Sequence, residues 1–136
     1  AGSAMGPFLV LMALGANVVA IDLDRPRIWK RLLFDIAKKS SGTITFPLKK
    51  PQSECKTDDE LCEQAGANLF TDTPKIRDWL LDLYPGKPFT VGSYAYLDGA
   101  LHVQVSLAMD TICKDLSEKR KDTSVAYLCT PTDLHL

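Results

Sequence analysis

The chain opens with an apolar, uncharged stretch that glycine residues divide into a helix and a strand. Residues 1–6 are rich in glycine and small side chains, and the apolar segment after them predicts a helix that ends at Gly15. The β-branched run 18–21 then predicts a buried parallel strand. Asp22 and Asp24 follow it, so two carboxylates are expected at the carboxyl end of this strand.

The next part of the chain predicts a helix, a strand, a loop and a second helix. Apolar residues recur at helical spacing over residues 25–39, and residues 43–46 have the composition of a short strand. Residues 47–56 contain two prolines and three lysines, which predicts an exposed loop. Thr57 and Glu60 then form a capping-box pattern for a short helix.

A second glycine turn predicts a second strand that ends in an aspartate. The sequence Gly-Ala-Asn at 66–68 repeats the one at 15–17, and residues 68–72 are expected to form a strand ending at Asp72. Thr73 then caps a helix that carries Ile76, Trp79, Leu80 and Leu83 on one face.

The region 94–107 fits two structures. After a strand beginning at Phe89, Asp98-Gly99 lies between two alternating segments, which is typical of a β-hairpin. The apolar residues from Leu101 onward also fit a helix capped by Asp98 and ending near Lys119. The alternation of helices and strands elsewhere favours the helix, and residues 124–129 then predict a last strand.

This order of elements predicts an α/β protein with a Rossmann-like, mostly parallel sheet flanked by helices. The length of 136 residues fits one domain, 1–136. A Rossmann-like sheet has a strand before its first glycine turn, and none precedes Ala1. The fold is therefore expected to be incomplete at this point, as in a piece of a longer protein.

Composition argues against several classes of function. The net charge of -1 gives no basic surface for nucleic acid. The four cysteines lack the two-residue spacing of a metal or redox motif, so we expect no metal site and reduced thiols in a soluble intracellular protein, with Cys55 and Cys62 exposed or loosely buried. Residues 4–21 have about the length of a membrane span, but Pro7, Asn17 and two glycines within them argue against one.

Several motifs resemble the first half of the short-chain dehydrogenases/reductases. Gly2-Ser3-Ala4-Met5-Gly6 is similar to the end of their glycine motif, and Gly15 to Asp22 is similar to their second strand with its ribose-binding acid. Thr71-Asp72-Thr73 resembles their adenine-side aspartate, and Val91-Gly92-Ser93 lies where they carry Asn-Asn-Ala-Gly. The family's catalytic Tyr-xxx-Lys pattern is absent from the chain.

The resemblance implies a site for NAD or NADP. Backbone N–H groups at Gly2, Ser3 and Gly6 would approach the phosphates, and Asp22 would bind ribose hydroxyls, which favours NAD over NADP. Asp72 is either a cofactor contact or a helix cap, and Ser93 is expected at the carboxyl edge of the sheet. No catalytic residue is assigned.

Three functions follow from these expectations. The first is an NAD(P)-binding domain of a reductase or dehydrogenase whose catalytic half lies outside this sequence. The alternative is a catalytically degenerate structural or interaction subunit, with a protein partner or a second copy of the chain. Membrane attachment through residues 4–21 is the third.

Overall fold

The computed structural model describes residues 1–3 and 6–128. The described chain divides into two compact units, Ala1–Asp72 and Thr73 onward, and the fold of each is given separately. Both units combine helices with a pair of parallel strands.

Unit 1 is built on two short parallel strands. Helix α1 (Phe8–Ala13) leads through a turn at Gly15, where φ is +79°, into strand β1 (Asn17–Val19). Strand β2 (Thr43–Thr45) pairs with β1 in parallel, with Asn17 opposite Thr43. Because parallel strands share a direction, the residues that follow β1 and β2 lie at the same edge of this sheet.

The connection between β1 and β2 is helical, as the sequence predicts, but it changes its winding. Helix α2 (Pro26–Lys30) continues as a π-helix (Arg31–Ile36) and then as a short 3₁₀ helix (Ala37–Lys39). Pro26 occupies the first turn, where its missing N–H costs nothing. The segment 47–56 is mostly exposed, with an isolated antiparallel bridge between Leu48 and Ala65 and a 3₁₀ turn (Gln52–Glu54) before helix α3 (Asp58–Gln64). The Thr57 side chain accepts a hydrogen bond from the Glu60 N–H, which confirms the predicted cap.

Trp29 forms the centre of the core of unit 1. Its ring is fully buried and packs against Phe46, with the ring centroids 5.2 Å apart. Its indole N–H donates to the Leu23 carbonyl at 2.8 Å, so burial leaves no polar atom of the ring unpaired. The other buried apolar residues of this core are Phe8, Met12, Ala20, Leu32, Leu33, Cys62 and Ala65.

The predicted strand at 68–72 is wrong, because this segment forms a turn. The Asn68 side chain accepts a hydrogen bond from the Phe70 N–H, and the Asp72 carboxylate accepts one from the Asn68 N–H. Such local side-chain bonds satisfy backbone groups that a strand would have to pair elsewhere. The repeated Gly-Ala-Asn sequence does preserve one feature, since Gly66, like Gly15, has a positive φ.

Unit 2 contains a second parallel strand pair and two helices. Helix α4 (Thr73–Asp82) precedes strand β3 (Phe89–Ser93), helix α5 (Ala100–Lys119) and strand β4 (Thr123–Tyr127). Strands β3 and β4 pair in parallel, with Phe89 opposite Thr123. Between 94 and 107 the helix is confirmed and the hairpin is wrong. The predicted cap is also wrong, because the helix begins after Gly99 and receives no side-chain cap.

A buried arginine links the end of α4 to the start of β3 in unit 2. The Arg120 guanidinium lies 4.1 Å from the centre of the Phe89 ring and donates hydrogen bonds to five backbone carbonyls at and after the end of α4. The acceptors are Leu80, Leu81, Leu83, Tyr84 and Lys87, at 2.7–3.2 Å. Arginine thus satisfies carbonyls that the end of a helix leaves without partners.

The mixed α/β class and the parallel strand pairing are confirmed. The described strands form two two-stranded sheets. Within residues 1–3 and 6–128, no helix has the length and apolarity needed to cross a bilayer. The apolar start of the chain instead contains the six-residue helix α1 and the strand β1.

Candidate functional site

The candidate site lies around Asp22, just beyond the carboxyl end of β1. Its Oδ2 atom accepts hydrogen bonds from the Ala1 nitrogen at 2.9 Å and the Gly2 N–H at 2.5 Å, and Oδ1 accepts one from the Leu23 N–H at 2.8 Å. The side chain is 16% exposed. The glycine-rich start of the chain and the acid after β1 are therefore in direct contact.

Position 2 is tightly packed against this carboxylate. A Cβ atom there would lie 3.1 Å from Asp22 Oδ2 and 3.3 Å from the Ile28 side chain. Both distances are tighter than ordinary van der Waals contact, so a larger residue would require these side chains to shift by a few tenths of an ångström. The sequence predicts a close backbone approach at Gly2, and the atom approached here is the Asp22 carboxylate itself.

The predicted phosphate-binding amides have partners inside the protein. Gly2 donates its N–H to Asp22, and Gly6 donates its N–H to the Ser3 carbonyl at 3.1 Å. Helix α1 begins directly after this turn and is only six residues long. The Gly2 and Gly6 N–H groups therefore offer less hydrogen bonding to a phosphate.

Asp22 has a pKa below its usual range. Burial raises the pKa, but the positive charge of the Ala1 amine and the N–H groups of Gly2 and Leu23 lower it by more. Asp22 is consequently a carboxylate at neutral pH. A carboxylate accepts about four hydrogen bonds, and Oδ1 has one donor in the described structure, so it retains hydrogen-bonding capacity.

Two basic side chains lie at the same edge of unit 1. Arg31 Nη1 is 3.3 Å from the Gly2 carbonyl oxygen, and Lys49 Nζ is 2.8 Å from Asp24 Oδ2. Neither residue was predicted from the sequence, because the contact between Arg31 and Gly2 spans 29 positions and depends on the fold.

Asp72 has a hydrogen-bond partner of its own in unit 1, and Ser93 belongs to unit 2. Asp72 closes its own turn by accepting the Asn68 N–H at 3.1 Å. Ser93 belongs to unit 2, where its hydroxyl lies 3.2 Å from the Met109 sulfur at the end of β3. Four of the predicted site residues therefore lie in unit 1 near the start of the chain, namely Gly2, Ser3, Gly6 and Asp22.

The described cysteines do not form a second candidate site. Among the residues that the structure describes, no cluster of histidine, cysteine and acidic side chains could hold a metal ion. Cys55, Cys62 and Cys113 are free thiols, and Cys129 lies outside the described residues. The prediction that Cys62 is exposed or loosely buried is wrong, because it is 3% exposed on the inner face of α3.

A groove of about 380 Å³ lies at the other end of the strands of unit 1. Its lining residues include Ala13 and Ser41, which precede β1 and β2, and Leu9 and Ile36 supply apolar surface. None of the predicted site residues lines this groove. It is therefore separate from the candidate site.

The chain matches no protein-family model, no curated protein and no solved structure. The resemblance to short-chain dehydrogenases/reductases accordingly stays a prediction based on the motifs in the sequence.

Proposed function

We propose that unit 1 binds the adenosine end of a nicotinamide dinucleotide, NAD or NADP, as part of a reductase or dehydrogenase. The ribose hydroxyls would face Asp22, and the phosphates would lie along the turn formed by Gly2, Ser3 and Gly6. No residue of the chain is assigned to catalysis. Asp72 and Ser93 are proposed as further cofactor contacts from the sequence resemblance alone.

The contact between Gly2 and Asp22 carries the proposal. A dinucleotide site needs a glycine turn beside a carboxylate at the carboxyl end of a parallel strand, because one ligand bridges its phosphate and its ribose across them. The 2.5 Å hydrogen bond from Gly2 to Asp22 is consistent with that arrangement. The unfilled capacity of Asp22 Oδ1 leaves an acceptor for a ribose hydroxyl.

The proposal includes a Rossmann-like sheet in which a further strand lies along the second edge of β1. Ala16 and Ala20 form backbone hydrogen bonds with β2, so the intervening odd-numbered residues direct their backbone groups to the other edge. On that edge the Ile21 carbonyl accepts a hydrogen bond from the Ala1 nitrogen at 3.0 Å. Parallel sheets with only two strands are rarely stable alone, which supports an additional strand.

Titration of the 136-residue chain with NADH and NADPH, followed by fluorescence and calorimetry, tests the proposal. We expect binding, weakened about tenfold in Asp22→Ala because a hydrogen bond to a charged group is lost. Asp35→Asn changes an exposed carboxylate beside the separate groove and should bind as the wild type does. Circular dichroism of each variant checks folding, and Asp22→Asn preserves the side-chain shape if Asp22→Ala is unstable.

Lack of binding of both nucleotides at millimolar concentration by folded protein would refute the proposal. Unchanged affinity in both Asp22 variants would remove Asp22 from the site.

A structural or interaction subunit is the second candidate function. It is supported by the apolar side chains of α1 and the residue after it, because Leu9, Val10 and Leu14 are 60%, 61% and 77% exposed. An exposed apolar helix face commonly marks a contact with another protein. Light scattering combined with size-exclusion chromatography tests for self-association. Concentration-independent monomers would count against a homo-oligomer.

A further inference from the structure

The positively charged side chain of Arg31 lies next to Gly2 of the candidate site. The residue begins the π-helix after α2, one turn beyond Ile28, and its Nη1 atom donates to the Gly2 carbonyl at 3.3 Å. The Asp22 carboxylate contacts the N–H of the same glycine. A single residue of the turn therefore contacts a carboxylate at its nitrogen and a guanidinium at its oxygen.

The guanidinium of Arg31 lacks an anionic partner among the residues described. Lys49 neutralises Asp24 nearby, whereas Arg31 forms only the hydrogen bond to a neutral carbonyl and is exposed to solvent. A guanidinium has five N–H donors, so at least four stay available in this arrangement. Its planar geometry suits two-point binding of phosphate.

A phosphate next to Gly2 needs such a cation. The Gly2 and Gly6 N–H groups already have acceptors within the protein, which reduces what the backbone can offer to an anion. The Asp22 carboxylate would also repel a phosphate bound in the same turn. We propose that Arg31 binds a phosphate group of the nucleotide beside Gly2, an inference that rests on the proposed nucleotide site.

Two phosphates of a dinucleotide could reach this position, namely the pyrophosphate and the 2′-phosphate of NADP. An arginine near the ribose-binding acid is one way in which Rossmann-like sites accept a 2′-phosphate. The chemistry that Arg31 recognises is the same in both cases. Comparison of NADH with NADPH separates them, because only NADPH carries the 2′-phosphate.

The test measures NADH and NADPH affinity in the wild type, in Arg31→Gln and in Arg27→Gln at low and high salt. Arg27 is an exposed arginine on α2, four positions before Arg31, and it does not contact Gly2 in the described structure. It is therefore a matched control for loss of one positive charge. We expect Arg31→Gln to weaken binding about tenfold, from loss of a charge-assisted hydrogen bond, and to reduce the salt dependence. Arg27→Gln should change affinity less than twofold.

An equal loss for both nucleotides assigns Arg31 to the pyrophosphate, and a loss for NADPH alone assigns it to the 2′-phosphate. Arg31→Gln behaving like Arg27→Gln, in a chain whose wild type binds nucleotide, would overturn the role of Arg31 and leave the proposed function intact. A folded wild type that binds neither nucleotide would overturn both. Arg31→Lys should restore part of the affinity, because it returns the charge without the planar donor set.

Discussion

Replacing Arg120 with methionine removes the buried guanidinium that joins the end of α4 to the start of β3. Arg120 is the only charged side chain classed as buried among residues 1–3 and 6–128. Methionine retains an apolar stem of similar length but removes the guanidinium hydrogen bonds to five backbone carbonyls. We expect unit 2 to lose stability while unit 1 keeps its fold.

The size of the loss follows from the two donor nitrogens. Nη1 and Nη2 each serve more than one carbonyl, so the five contacts are counted as two charge-assisted donor groups. At about 1.5 kcal/mol each they contribute about 3 kcal/mol, and the stacking on Phe89 adds about 0.5 kcal/mol. With a urea dependence of about 1.5–2 kcal/mol per molar, the midpoint of unit 2 should fall by about 2 M.

Urea denaturation with hydrogen exchange measured peptide by peptide reports on each unit separately. Peptides from α4, β3 and β4 should exchange faster in Arg120→Met, and peptides from α2 and α3 should exchange as in the wild type. Arg120→Lys should lose an intermediate amount, because one nitrogen cannot reach both sets of carbonyls in the geometry of a guanidinium. Lys121→Met is the matched control, since Lys121 is exposed and adjacent.

Equal midpoints for Arg120→Met and Lys121→Met would refute the role assigned to Arg120. Uniform destabilisation of α2 and α3 together with unit 2 would contradict the expectation that the effect is confined to unit 2.

Two further predictions concern unit 1 and the thiols. Gly66→Ala should destabilise unit 1 by about 2–4 kcal/mol in urea denaturation. The reason is that φ at Gly66 is +103° and the new Cβ would lie 2.5 Å from the Trp29 indole nitrogen. A loss below about 0.5 kcal/mol would contradict this prediction. Thiol labelling at pH 8, with the labelled sites identified by mass spectrometry, should modify Cys55 well before Cys62 and Cys113. Burial raises the pKa of the Cys62 and Cys113 thiols and so lowers the fraction present as reactive thiolate. Equal rates in folded protein would be inconsistent with the observed burial.

The sequence predicted the elements whose signals are local and repeated. Helical spacing of apolar residues located α4 and α5, and the Thr57–Glu60 pair located the start of α3. The strand predicted at 68–72 failed because Asn68 and Asp72 satisfy backbone groups within the turn, which a comparison with residues 15–22 does not reveal. The π-helical winding at 31–36 also had no local signal.

At the candidate site, the sequence selected residues that lie close together, but it did not predict which groups they contact. Gly2 and Asp22 were selected for separate contacts with one ligand, and the folded chain brings them into contact with each other. Arg31 was missed because its relation to Gly2 spans 29 positions and depends on how the turn folds back on β1. Residue type and local spacing identify candidates, but tertiary folding decides which groups are already paired.

The internal pairing of Gly2 with Asp22 means that loss of stability and loss of binding must be separated in any Asp22 variant. Asp22 anchors the start of the chain through hydrogen bonds from Ala1 and Gly2, so Asp22→Asn should lower the thermal stability of the free protein whether or not a nucleotide binds. A ligand raises stability by an amount set by its concentration relative to its Kd. A purely structural Asp22 therefore predicts that NADH shifts the melting temperature equally in wild type and variant. A ribose-binding Asp22 predicts a smaller shift in the variant at the same NADH concentration, because its Kd is about tenfold higher.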